Sequence, residues 1–199
     1  ENGIGYPNLL VNPDFMDSKV PNLLQRVDSV NGLTPFGFSY IKEMERLGII
    51  IDVSHLNDAG FWDVFDTCTK PFVASHSNAR RICPVARNLS DEMILALKEK
   101  GGVMGLNFCG DFLELHDLPN GKSRIEAMVK QIQYIKDLAG IEVIGLGTDF
   151  DGINCECEIE NASQMYLLEQ ALYEAGFTTE EVEKIFYKNV LRVYQEVLK

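Results

Sequence analysis

Basic residues are scarce in this chain. Its 18 lysines and arginines stand against 30 aspartates and glutamates, a formal net charge of −12. That deficit argues against nucleic acid or an anionic membrane surface as a partner, because both favour a cationic face. The acidic surface reads as a solubility feature and names no substrate. Apolar runs of eighteen residues are missing, as are a signal peptide and a C-terminal lipid-anchor tail. No membrane span or anchor is therefore expected. Cysteine is sparse and odd in number: Cys68, Cys83, Cys109, Cys155 and Cys157. A scattered set of this kind suits reduced thiols in a cytoplasmic protein. The one close pair, Cys155-Glu156-Cys157, is not Cys-x-x-Cys and has no second Cys or His cluster beside it, so it reads as loop thiols. There is no internal repeat and no obvious linker, and 199 residues suffice for a single domain with a full core. The chain begins at Glu1 rather than methionine, as expected of a processed product or a piece of something longer.

What is present is a series of short apolar runs that end in polar, chemically able residues. One is Ile49-Ile50-Ile51-Asp52-Val53-Ser54-His55. Another is Pro71-Phe72-Val73-Ala74-Ser75-His76-Ser77. A third is Ile144-Gly145-Leu146-Gly147-Thr148-Asp149-Phe150-Asp151-Gly152. Short β-branched runs between helical stretches read as buried parallel strands, over 49–53, 72–75, 103–108 and 142–147. Helices are expected at 35–47, 57–68, 90–100, 122–139, 161–175 and 179–198. Thr34-Pro35 opens the first and Gly48 stops it. Ser90 caps the third, and Thr178 with Glu181 matches a capping box for the last. Residues 1–32 read as a long loop, 33–160 as βα units and 161–199 as C-terminal helices. Four strands are too few to close an eight-stranded barrel. They would form half of one or a small open sheet.

In parallel sheets the carboxyl ends of the strands face the active site. His55 and His76 end two successive strands, whose last residues would lie about 5 Å apart if the strands are neighbours. Two imidazoles there suit one zinc ion, the alternative being a pair of hydrogen-bonded structural histidines. Asp149 and Asp151 lie in Gly-Thr-Asp-Phe-Asp-Gly, where a carboxylate could bind metal or shuttle protons, or simply brace a turn. Arg80, Arg81 and Arg87 follow His76, and an arginine there could grip a substrate carboxylate with two parallel hydrogen bonds. His116, among Asp111, Glu114 and Asp117, reads as a surface residue.

These segments resemble the membrane dipeptidase family, also called renal dipeptidase. The matching stretches are Gly32-Leu-Thr-Pro-Phe-Gly37, Leu47 through His55, Ser75-His-Ser-Asn-Ala79, Arg87-Asn88, Val103 through Phe108, Gly147 through Gly152 and Asn189-Val-Leu-Arg-Val193. They cover nearly the whole chain in order, and look closest to bacterial, unanchored members. The resemblance implies a (β/α)8 barrel of the metal-dependent hydrolase type, this chain being its C-terminal half and a single domain over 1–199. It implies a two-zinc site that cleaves dipeptides. By position, His55 and His76 would ligate one zinc, Arg87 and Asn107 would bind substrate, and Asp149 would be the proton shuttle. The family's His-x-Asp pair and bridging glutamate have no counterpart here, so the isolated chain is expected to be inactive, at most one zinc site being partly ligated. It would need its N-terminal half or self-association as a homo-oligomer. Where many relatives carry an aromatic residue after the Asn-Phe pair, this chain has Cys109. The alternatives are a non-catalytic fragment and a different barrel hydrolase, such as a lactonase or deaminase.

Overall fold

The computed structural model describes residues 4–5, 30–115 and 121–198. The expectation for His116, and all but the edges of the expected loop at 1–32, lie outside them. Among the described residues, strands and helices alternate: β1 (Ile4–Gly5), α1 (Pro35–Leu47), β2 (Ile50–Ile51), α2 (Asp58–Thr67), β3 (Val73–Ala74), α3 (Asp91–Glu99) and β4 (Val103–Leu106). Then come a short helix, α4 (Gly110–Leu113), the long α5 (Ile125–Ala139) and β5 (Ile144–Leu146). Three helices follow, α6 (Tyr166–Glu174), α7 (Thr179–Glu183) and α8 (Asn189–Val197), the last two continuous through a π-helical turn at Lys184–Lys188.

Local chemistry sets the helix ends. Thr34 accepts from the Gly37 N–H, Pro35 occupies the first turn, and Gly48 turns left-handed at φ 73° to end α1. Asn57 and Ser90 cap α2 and α3 through their side chains. Thr178 and Glu181 complete a reciprocal capping box.

The five strands among the described residues are all paired in parallel. β1 pairs with β2, and β3, β4 and β5 pair in chain order. A parallel bridge between Asp52 and Val73 carries the ladder from β2 to β3. The fold is therefore α/β with a parallel sheet. β1 falls where a loop was expected. Two residues show no periodicity, and their pairing to Ile50–Ile51 is a distant contact that no local signal announces. Between the strand expected at 103–108 and the helix expected at 122–139 lies α4, one turn long, which no local signal predicted.

Successive strand residues face opposite sides, and both sides are covered, which is why the strands read as continuous apolar runs. Ile51, Val53, Ala74, Met104, Leu106 and Ile144 join the main core with Ile41 and Met44 of α1, Phe61 and Val64 of α2, Ile94 and Leu97 of α3, and Met128 and Ile132 of α5. Ile50, Val73 and Val103 instead meet Val193 and Val197 of α8. These are the first residues of their strands, so α8 crosses the sheet's N-terminal ends. Two side chains fasten it there. Arg192 donates to the carbonyls of Gly101, at 2.6 Å, and Glu142, at 3.2 Å. Asn189 donates to those of Ile141 and Ile144.

Glycine lets β3, β4 and β5 close tightly where they approach the opposite ends. A Cβ on Gly147 would lie 1.8 Å from the Ser75 carbonyl oxygen, and one on Gly105 would lie 2.0 Å from it. Gly147→Ala is expected to lower stability by about 1–3 kcal/mol, the scale of overpacking. A thermal midpoint equal to that of the parent would contradict this.

Candidate active site

The C-terminal ends of β2, β3 and β5 carry His55, His76 and Asp149. His55 lies two residues beyond Val53, whose N–H donates to the Val73 carbonyl, so β2 and β3 bring the two histidines to one place. Their Nε2 atoms are 2.8 Å apart and their ring centroids 4.8 Å apart. His55 holds a left-handed backbone, φ 74°, and so does Asp149, φ 58°. Such conformations cost energy outside glycine and cluster at functional sites, although Asp and His tolerate them better than most residues.

Burial holds the His55 imidazole down to about pKa 4, with the Arg87 charge and His76 adding to the effect. His76 is lowered for the same first two reasons, while Asp149 and Asp52 pull the other way. Both shifts favour the neutral ring, the form that ligates metal. The Ser75 hydroxyl lies 2.7 Å from Nδ1 of His76 and occupies that nitrogen, leaving Nε2 for a ligand. Two ligands on tetrahedral zinc stand about 3.3 Å apart, from Zn–N bonds of about 2.0–2.1 Å. The pair thus fits zinc after opening by roughly 0.5 Å. Among the described residues, no group of three His, Cys, Asp or Glu side chains converges on one point as a metal cage.

Of the three loop arginines, Arg87 reaches this place. Its Nη2 lies 3.3 Å from the His76 carbonyl and 3.5 Å from His55 Nε2, and its guanidinium stands 5.5 Å from the Phe112 ring centre. These contacts are long and leave its donors open to a stronger acceptor. Arg80 is committed elsewhere, to both oxygens of Asp58 at 2.7 Å, and Arg81 is exposed.

Asn107 has no exposed surface. Its Nδ2 donates to Asp149 Oδ2 at 3.2 Å, and its Oδ1 accepts from the Cys109 N–H at 2.7 Å. The Asn107 side chain is thus bonded directly to the Asp149 carboxylate. Cys109 is half-buried, and burial pushes its thiol up to about 12, which leaves it protonated and unreactive. Asp149 closes a turn in which its carbonyl accepts from Gly152 and Ile153. A Cβ on Gly152 would sit 2.2 Å from Asp149 Oδ1, so glycine makes room for the carboxylate.

A buried polar scaffold lies behind the site. Asn78 donates to the Asn107 carbonyl and accepts from its N–H. Asn88 accepts from the Asn78 N–H and donates to the carbonyls of Cys83 and Phe112. Gln131 accepts from Ala79 and donates to Leu113. Asp52 and Ser54 belong to the same layer, and sequence reasoning gave none of these residues a role. The available signal was a concentration of Asn, Ser and Asp inside or just after apolar runs.

The sequence pattern of the membrane dipeptidase family, peptidase family M19, matches residues 8–199. The chain belongs to that family. It is 36% identical over 170 residues to an uncharacterized protein in the pqqA 5′ region of Klebsiella pneumoniae, covering 85% of this chain and 63% of that one. It is 33% identical over 168 residues to dipeptidase tcpJ of Claviceps purpurea, covering 84% and 39%. Among solved structures, the metallopeptidase dipeptidase AC superposes with TM-score 0.83 at 30% identity, over 89% of this chain and 53% of that one. A metallopeptidase of Rhodobacter sphaeroides, bound to a phosphinate mimic of the dipeptide L-Ala-D-Ala, gives 0.79 at 31% identity over 83% and 47%. The chain therefore spans between 39% and 63% of the length of these four relatives. Among the described residues, no helix is long and apolar enough to cross a membrane.

Proposed function

We propose that this chain is the part of a zinc-dependent dipeptidase that supplies two histidine ligands, the proton-transfer carboxylate and the anchor for the substrate's free carboxylate. The observation that carries the reading is the approach of His55 and His76 to 2.8 Å with Arg87 beside them. Family membership supports it, as does the dipeptide mimic bound by the Rhodobacter sphaeroides relative. We take the five parallel strands to be one side of an eight-stranded barrel, the remaining strands and zinc ligands coming from chain outside these 199 residues. The five free cysteines suit a reducing compartment such as the cytoplasm.

Each residue then has a task. His55 and His76 hold zinc through Nε2. Zinc, when bound, supplies Lewis-acid activation of the peptide carbonyl and of water. Asp149, oriented at Oδ2 by Asn107, accepts a proton from the attacking water and returns it to the leaving amine. Arg87 turns its two terminal N–H groups to the dipeptide's C-terminal carboxylate.

Arg87 provides the test. A bidentate guanidinium distinguishes a carboxylate from an amide. In an intact enzyme containing this chain, Arg87→Ala is expected to raise KM for free dipeptides by about 10- to 100-fold, the loss of a charge-assisted pair. C-terminally amidated dipeptides should be affected far less. Equal losses on both substrates would remove Arg87 from that role. Hydrolysis that persists after complete zinc removal would overturn the metal reading as a whole.

A further inference from the structure

One buried carboxylate oxygen ties down the residue in front of each histidine. Asp52 follows β2 and has no exposed surface. Its Oδ1 accepts from the Ser54 N–H at 2.9 Å and from the Ser75 N–H at 2.9 Å. Ser54 precedes His55 and Ser75 precedes His76. The same unit is closed once more by Ser54, whose Oγ accepts from the His76 N–H at 2.9 Å. His55, at φ 74°, has a backbone conformation that its surroundings must impose.

The other oxygen of Asp52, Oδ2, is buried and has no partner among the described residues. Burying a carboxylate with an idle oxygen costs stability, and an apolar residue would pack the strand better. The position of Oδ1 offers the compensation. It makes two charge-assisted bonds to peptide groups 21 residues apart in sequence, one on each histidine-bearing strand end.

We propose that Asp52 is a positioning residue for the histidine pair. Its Oδ1 gathers the peptide N–H groups in front of His55 and His76 at one point, and so fixes the separation of the two Nε2 atoms. This rests on the reading of His55 and His76 as zinc ligands. What matters is then where the acceptor oxygen sits, rather than the charge it carries.

Two conservative variants of the intact enzyme separate these contributions. Asp52→Asn keeps an acceptor oxygen at the same place and removes the charge. Asp52→Glu keeps the charge and moves the oxygens by one methylene. Zinc affinity is read by competition with a chelator, and the ring nitrogen NMR shifts of His55 and His76 are read in the metal-free protein. Asp52→Asn is expected to hold zinc within about threefold of the parent, whereas Asp52→Glu should bind it about 10- to 100-fold more weakly, the usual effect of losing a partner behind a ligand. The ring shifts should move in the Glu variant and stay in the Asn variant. If Asp52→Glu does not fold, Asp52→Ala takes its place with the same expectation. Weakening of Asp52→Asn as large as that of Asp52→Glu would overturn the proposal, and so would parental affinity in both. If zinc affinity is indifferent to His55→Ala and His76→Ala, the metal reading itself has failed. The ring shifts then decide alone: movement in the Glu variant supports positioning, and unchanged shifts refute it.

Discussion

Asp149→Asn, in an intact enzyme containing this chain, is expected to lower kcat by about 100-fold or more, the scale of lost general acid–base catalysis. The substitution is close to isosteric, and the structure accommodates it. Asparagine tolerates the left-handed backbone that Asp149 adopts at φ 58°. Its amide oxygen can still accept from Asn107, the partner of Asp149 Oδ2. The turn bonds to Gly152 and Ile153 come from the backbone carbonyl and are untouched. What disappears is the ability to take up a proton. The thermal midpoint should therefore stay near that of the parent while turnover falls. Near-normal turnover would remove Asp149 from proton transfer. A matching collapse of the midpoint would assign it to the fold instead.

The second large effect concerns the 199-residue chain by itself. Given zinc and a dipeptide, it is expected to show no turnover above that of zinc in buffer. Catalytic zinc normally holds three protein ligands and one open position. The described residues offer two facing imidazoles and no convergent third donor. Two-metal chemistry, which places ions roughly 3.5–4 Å apart, needs donors from both sides of such a site. Addition of the remaining part of a longer enzyme as a separate chain should restore hydrolysis, if the parts associate through the open strand edges. Turnover by the isolated chain near that of an intact enzyme would show that the working residues have been misassigned.

The parts of this fold that were legible in the sequence are those governed by neighbours along the chain. Thr34, Pro35 and Gly48 bound α1 as expected because each acts within one helical turn. The capping box at Thr178 and Glu181 was visible for the same reason. β1 was not, because only its pairing with Ile50–Ile51 makes it a strand. The π-helical turn at Lys184–Lys188 was also hidden inside what reads as one long helix. In the site, His55, His76 and Asp149 stood out because strand ends can be read from apolar runs. Asn107 was named, as a substrate-binding residue, through resemblance alone. Its attachment to Asp149 was not, since that bond joins residues 42 apart. Asp52 was lost in the apolar run that contains it, and its importance appears only when the Ser54 and Ser75 N–H groups are seen to meet on one oxygen.

The helix that crosses the strand starts has a consequence for how such a protein can change over time. α8 meets Ile50, Val73 and Val103 at one end of the sheet, whereas His55, His76 and Asp149 occupy the other. If that second end is the site proposed above, persistence of the fold and choice of substrate are exposed to variation at separate addresses. Drift at Val193 or Val197 would act on how long the molecule survives, at a distance from the histidine end. Drift around Arg87 would, under the proposed function, act first on which substrate is held. A lineage carrying this architecture can trade surplus robustness from one end for new specificity at the other.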